Sequence, residues 1–305
     1  MVVTVGSALA LDNVKFMIGA NPGGGYDQTG RGLGKAMVEA GSAKSVQFEN
    51  KGGAGGTIGL AQFVNSAKGD GNSMIVVGAV MVGAIVQNKP PVTLAQVTPI
   101  ARLFYEYNVF VVPAASPIKT MKDVVDMLKK DPGSVKWGGG SRGSVDHISV
   151  AQIAKAAGVD PTKINYIPFQ GGGEASAAIL GGHVTVGTSG WNEMAQFVKS
   201  GKMRAIAVTS GTRLSEIAVP TLKEQGINVE IGNWRGVYGA AGITDVQKKA
   251  LIDAVVAATK QKSWNDALAS NDWFTAVLTG DEFSKFVDAE HKRIEESMRA
   301  VGLVK

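Results

Sequence analysis

Asn21-Pro-Gly-Gly-Gly-Tyr-Asp-Gln28 is the first of four glycine-rich turns, each set where an apolar, strand-like run gives way to helical spacing. The others are Asn50-Lys-Gly-Gly-Ala-Gly-Gly-Thr57, Gly138-Gly-Gly-Ser-Arg-Gly-Ser144 and Gln170-Gly-Gly-Gly-Glu174. A helix N-terminus carries unpaired N–H groups and the positive end of the helix dipole. Glycine lets a small anion approach those groups because no Cβ intervenes. The pattern predicts a pocket that grips a carboxylate or phosphate mainly with main chain.

Around these turns the chain alternates. Val14–Ala20 is strand-like, and residues 27–40 have helical spacing. A short strand at 46–49 leads to a helix at 57–67, then a strand at 74–78. Two β-rich runs, 100–104 and 109–113, are separated by Tyr105-Glu-Tyr-Asn108. Met121–Lys130 reads as an amphipathic helix stopped by Asp131-Pro-Gly133. Strand and helix then alternate through 135–137, 144–157, 164–168, 175–180, 184–187, 191–200 and 204–209. A short proline-capped helix follows at 219–226 and a strand at 235–240, and the rest is helical with a break near 273–279.

This order predicts parallel α/β layers, with ligand beyond the carboxyl ends of the strands. Two such units can face their turns across a cleft. The expected division is residues 11–105 plus 234–305 for domain I and 106–233 for domain II, joined by a hinge of two crossing segments, 104–108 and 232–236.

Composition narrows the function. The chain has 305 residues, 45% hydrophobic and 19% charged, as in an ordinary globular protein of about two domains. No window approaches the roughly 18 apolar residues of a membrane span. The net charge of +5 is spread out, which argues against a nucleic-acid groove. Cysteine is absent, which excludes thiol chemistry and thiolate metal sites. No His, Asp or Glu spacing resembles a metal site, and no cofactor is expected. Residues 1–10 end in Ala8-Leu-Ala10 and read as the tail of a truncated secretion signal, with an N-terminal strand as the alternative.

Several residues keep two readings. Asp27 is either the helix N-cap or a direct ligand contact. Tyr26 offers a ring and hydroxyl to a ligand, or packs at a domain interface. The third turn fits G-x-S-x-G through Gly139, Ser141 and Gly143, so Ser141 is a candidate hydrolase nucleophile with His147, His183 or His291 as base. Ser141 and Ser144 can equally donate hydroxyls to a ligand oxygen without chemistry. Arg142 either pairs with a carboxylate or is a solvated loop residue. Gly24, Ala54 and Ala79 complete the turn positions expected to touch ligand.

Taken in order, the segments resemble the tripartite tricarboxylate transporter substrate-binding proteins, the Bug family of extracytoplasmic receptors. The matching stretches are Pro22-Gly-Gly-Gly-Tyr-Asp27, the turn from Glu49 to Gly59, Ser141-Arg-Gly-Ser-Val-Asp-His147, Tyr166-Ile-Pro-Phe-Gln-Gly171, Leu180-Gly-Gly-His-Val184, Val219-Pro-Thr-Leu-Lys-Glu-Gln-Gly226 and Trp234-Arg-Gly-Val-Tyr-Gly239. The resemblance implies a two-domain, flytrap-like (type II-like) periplasmic binding fold that captures a small carboxylate without catalysis. It implies a monomer that delivers its ligand to the membrane subunits of a tripartite tricarboxylate transporter, with a receptor that feeds a membrane signalling sensor as the alternative. Carried over residue by residue, it places Gly25, Tyr26 and Asp27 on one side of the ligand. Ser141, Gly143, Ser144, Gly171 and Asn192 stand opposite. The Gly171-Gly-Gly-Glu174 run leans toward the tricarboxylate (citrate) branch. Gly78-Ala-Val-Met-Val-Gly83 departs from the small polar turn usual there, and suits a di- or tricarboxylate with an apolar body.

Overall fold

The structure, a computed structural model, describes residues 10–170, 172–214 and 217–305. Residues 1–9 of the candidate signal tail and Gly171 of the fourth turn lie outside the described residues. The first half of the chain runs β1 (Leu11–Ile18), α1 (Gly25–Glu39), β2 (Ala43–Asn50), α2 (Thr57–Ser66), β3 (Ser73–Gly78), α3 (Ala79–Asn88) and β4 (Thr98–Pro113). Next come α4 (Met121–Lys130), β5 (Lys136–Gly139), α5 (Val145–Ala156), β6 (Asn165–Pro168), α6 (Gly172–Leu180), β7 (Val186–Gly190), α7 (Trp191–Lys199) and β8 (Met203–Val208). The chain closes with β9 (Gly232–Gly239), α8 (Asp245–Ala258), α9 (Lys262–Ser270), β10 (Phe274–Thr279) and α10 (Gly280–Ala300).

The sheet order is β2-β1-β3-β9-β4-β7-β5-β6, with β8 and β10 also paired to β4. Pairing is parallel among β1, β2 and β3 and among β5, β6 and β7. The strands between these groups are antiparallel. The sheet is therefore mixed, and the expectation of purely parallel layers holds only for the outer strands.

β4 joins the two lobes. Residues 98–107 pair with β9, and residues 108–113 pair with β7 and β8. The sequence reading broke this strand at Tyr105-Glu-Tyr-Asn108, but the strand runs straight through. Glu106 and Asn108 share one face by the period-2 rule, and both are buried with protein partners. Their polarity belongs to the cleft floor and not to a loop.

Each lobe has its own apolar core. The first gathers Phe16, Leu33, Met74, Trp234 and Phe283. In the second, Phe110 and Val112 face Trp137 and Leu222, while Val109 and Val111 face Ile179 and Met194. Alternate residues of one strand thus feed two cores, one on each sheet face. Burying a side chain of this size contributes about 1.5–3 kcal/mol.

Helix boundaries follow local chemistry where the signals are local. Thr120 accepts the Asp123 N–H and Asp123 returns to the Thr120 N–H, which closes a capping box on α4. Its buried residues Met121, Val124 and Leu128 stand three and four apart. α3 has no such signal. Most of it is buried, so no polar face marks it as helical.

Candidate ligand-binding cleft

α1 begins at the triple glycine. Gly24 is extended at the N-cap and supplies no side-chain cap. The Gly23 N–H donates to Asp27 Oδ2 at 2.9 Å, and the Gly25 N–H donates to Glu193 Oε1 of the other lobe at 2.9 Å. A Cβ at Gly25 would fall on the Arg235 guanidinium, which its buried pairing with Glu106 holds in place. Asp27 is not the N-cap but the third residue of the helix. Its carboxylate also accepts Arg31 Nε and Asn50 Nδ2, each at 2.9 Å. Burial opposes ionisation there, but these hydrogen bonds prevail and hold Asp27 below the usual carboxylate range. Tyr26 is buried, and its hydroxyl accepts the Met81 N–H at the start of α3. Burial pushes its phenol up to about 12.

The third turn builds the facing wall. Ser144 is the N-cap of α5 and accepts the His147 N–H. Asp146 is buried and accepts the Gly140 N–H at 2.6 Å and Asn108 Nδ2. Burial, helped by nearby Glu193 and Glu106, pushes Asp146 up to about 6 against those two hydrogen bonds. His147 Nδ1 accepts the Gly143 N–H at 3.1 Å, and its ring stacks on Tyr166. Burial, with the Arg142 charge nearby, pulls His147 down to about 4. Ser141 Oγ is buried, with no hydrogen-bond partner among the described residues. The Ser–base hydrogen bond of an activated nucleophile is thus not formed. Arg142 is exposed. Gly143 packs against Gly83 of α3 where the lobes meet.

Between the walls lies one pocket. The first lobe lines it with Gly19, Ala20, Gly24, Gly25, Tyr26, Gly53, Gly55, Gly56 and Val80. The second contributes Gly140, Ser141, Asp146, Gln170, Ser189, Gly190 and Glu193, and β9 adds Asn233 and Arg235. At the floor, Arg235 and Glu106 form a buried ion pair. Asn233 Nδ2 and Trp273 Nε1 also donate to Glu106.

Four of the anticipated residues, Gly24, Gly25, Tyr26 and Ser141, line this pocket. Ala54 sits between the lining residues Gly53 and Gly55, and Ala79 adjoins Val80. Asp27, Arg142, Gly143, Ser144 and Asn192 are not among the lining residues. Asn192 Nδ2 donates instead to Gln28 Oε1 across the cleft at 2.8 Å. The sequence reading missed Asp146, Glu193, Asn233 and Arg235. Asp146 and Arg235 lay inside stretches quoted for the family resemblance, and Glu193 follows Asn192 directly. The usable signal was an acid in the first turn of a helix after a strand end, for Asp146 and Glu193 alike.

Among Trp137, Trp191 and Trp234, the first and last are core residues. Trp191 alone of the three bridges the lobes, through Nε1 to Asp272. Among the described residues no cluster of His, Asp or Glu is arranged to hold a metal, and no helix is long and apolar enough to cross a membrane.

A family model described as "Tripartite tricarboxylate transporter family receptor" matches residues 31–303. The chain belongs to this receptor family. A UPF0065 protein encoded in the gbd 5' region of Cupriavidus necator is 29% identical over 301 residues, covering 96% of this chain and 88% of the relative. The solved structure of the periplasmic binding protein BugD aligns with a TM-score of 0.86 at 23% identity, over 96% of this receptor and 98% of BugD. R. palustris Rpa4515 with adipate gives 0.86 at 21% identity, over 95% and 97%. The receptor thus has the two-domain α/β fold of these periplasmic binding proteins.

Proposed function

We propose that the protein is a periplasmic receptor that captures a small di- or tricarboxylate and hands it to a tripartite tricarboxylate transporter. The observation that carries this is the shared pocket. Glycine turns of both lobes line it, and the Gly25 N–H already holds a carboxylate oxygen, that of Glu193. A carboxylate therefore fits the N-terminus of α1. Arg235 beside it, paired with Glu106 through Nε and Nη2, has Nη1 left for a ligand oxygen, and Val80 offers an apolar contact for the body of the solute. The adipate seen with Rpa4515 is a ligand of that size and charge.

Domain I is assigned to residues 11–105 plus 234–305 and domain II to 106–233. Closure bends β4 and β9 where they cross between the lobes. The receptor acts as a monomer and turns nothing over, since Ser141 lacks a hydrogen-bonded base. Delivery to membrane subunits is supported by membership of the receptor family.

Differential scanning fluorimetry against adipate, citrate, tricarballylate and short dicarboxylates tests the reading. A true ligand at a hundredfold excess over Kd adds about 2.7 kcal/mol of stability, and Trp191 fluorescence should change with closure. A flat response across the panel, in both melting and fluorescence, rejects the proposal.

A further inference from the structure

We infer that Glu193 and a ligand carboxylate compete for one subsite at the N-terminus of α1, so that Glu193 sets the affinity of the receptor. The inference rests on the carboxylate-receptor reading above. Glu193 stands on α7 in the second lobe, yet its Oε1 accepts the Gly25 N–H of the first lobe at 2.9 Å. Its other oxygen accepts Ser189 Oγ. Glu193 lines the same pocket as Gly24, Gly25 and Arg235. The protein's own carboxylate is thus bound where helix dipole and free N–H favour an anion.

Other groups in the pocket point to a further occupant. Asn233 is 2% exposed, and its amide nitrogen is committed to Glu106. Its Oδ1 is therefore an acceptor, and it has no partner among the described residues. Ser141 Oγ is likewise buried and unpartnered on the opposite wall. Arg235 spends Nε and Nη2 on Glu106, and its Nη1 makes no hydrogen bond to a described residue. A solute lodged here would meet Asn233 Oδ1 with a donor such as a hydroxyl, and would bring its carboxylate to the donors Ser141 Oγ, Arg235 Nη1 and the Gly25 N–H. One N–H cannot serve two carboxylates well, and two anions in contact repel. The ligand therefore enters by displacing Glu193, whose remaining bond is to Ser189 of its own lobe.

The alternative is that Glu193 stays on Gly25 as a clamp between the lobes, with the ligand bound beside it. Removal of Glu193 has opposite effects in the two cases. Adipate and citrate binding should be measured by calorimetry on the wild type, Glu193→Ala and Glu193→Gln. Acetate serves as a minimal probe of the vacated subsite, with melting temperature as readout.

Displacement predicts about tenfold tighter binding of the dicarboxylate to Glu193→Ala, since a charge-assisted hydrogen bond no longer has to be broken. Glu193→Gln keeps the shape without the charge and should fall between, which also covers a poorly folded alanine variant. Acetate should raise the melting temperature of Glu193→Ala and leave that of the wild type unchanged. Weaker or unchanged adipate and citrate binding in both variants, with acetate acting alike on all proteins, would overturn the inference and leave the receptor reading standing. If no protein of the three binds any of these acids, the receptor reading falls and the inference with it.

Discussion

On the first lobe's side of the cleft, the triple glycine presents main-chain donors at the start of a fifteen-residue helix, with Arg235 packed against Gly25. The facing wall is built from equally glycine-rich sequence, but its turn directs carboxylates inward: Asp146 in the first turn of α5 and Glu193 in the first turn of α7. One wall offers donors and the other acceptors. Similar glycine patterns thus yield opposite chemistry, because glycine determines only how close a partner comes. The neighbouring side chains set which sign of charge arrives. Across the cleft the walls satisfy one another through Glu193 on Gly25, Asn192 on Gln28 and Asn21 on Glu174.

The contrast can be broken most severely at the floor. Glu106→Ala would strand the buried Arg235 guanidinium, and a loss of about 3–5 kcal/mol is expected in urea unfolding. A loss below about 1 kcal/mol would mean that the cleft hydrates Arg235, and the two walls would then share a wet floor.

Asp146 sharpens the acceptor side. Its displacement from 3.8 to about 6 corresponds to about 3 kcal/mol. The folded state binds this proton more tightly than the unfolded chain, so the penalty is absent below about pH 4, grows as pH rises and is complete above about pH 6. In Asp146→Asn this fall should vanish. Comparing urea midpoints at pH 4.5 and 7.5 for both proteins isolates it, because the opposite contribution of His147 is common to the two. Equal slopes would show that Asp146 is solvated in the cleft.

On the donor side, Asp27→Ala should cost about 2 kcal/mol, because the Gly23 N–H and Asn50 amide lose their acceptor. The effect belongs above pH 4, since the folded Asp27 ionises below the usual range and its contribution fades only on acidification. A thermal melt at pH 7 and at pH 3 checks both size and direction. The smallest effect is expected at the link between the walls. Asn192→Ala removes one partly buried hydrogen bond and should change stability by less than about 1 kcal/mol. A larger loss would make that contact, and not Glu193, the principal tie across the cleft.

The elements differ in how plainly the sequence announced them. α4 was legible almost to the residue, because its cap, apolar spacing and stop signal are all local. β4 was read as two strands because Glu106 and Asn108 look like loop residues until Arg235, Asn233 and Asp146 arrive from distant sequence to pair with them. α3 received no assignment beyond a comparison of its first residues with a turn, since an apolar run buried on most sides carries no helical face. In the cleft, the glycine pattern pointed to Gly24, Gly25, Tyr26 and Ser141, which line the pocket. It did not point to Glu193, whose role depends on Gly25, 168 residues away.

By itself, the sequence determined the alternation of strand and helix, the four turns and the receptor family, since periodicity, glycine and motif order are properties of neighbouring residues. Only the tertiary structure decided that the sheet is mixed, that β4 runs unbroken between lobes and that a glutamate of one lobe rests on the N-terminus of a helix in the other. Burial and charge pairing are settled by residues that meet after folding, and no local pattern records which partner each polar group will find.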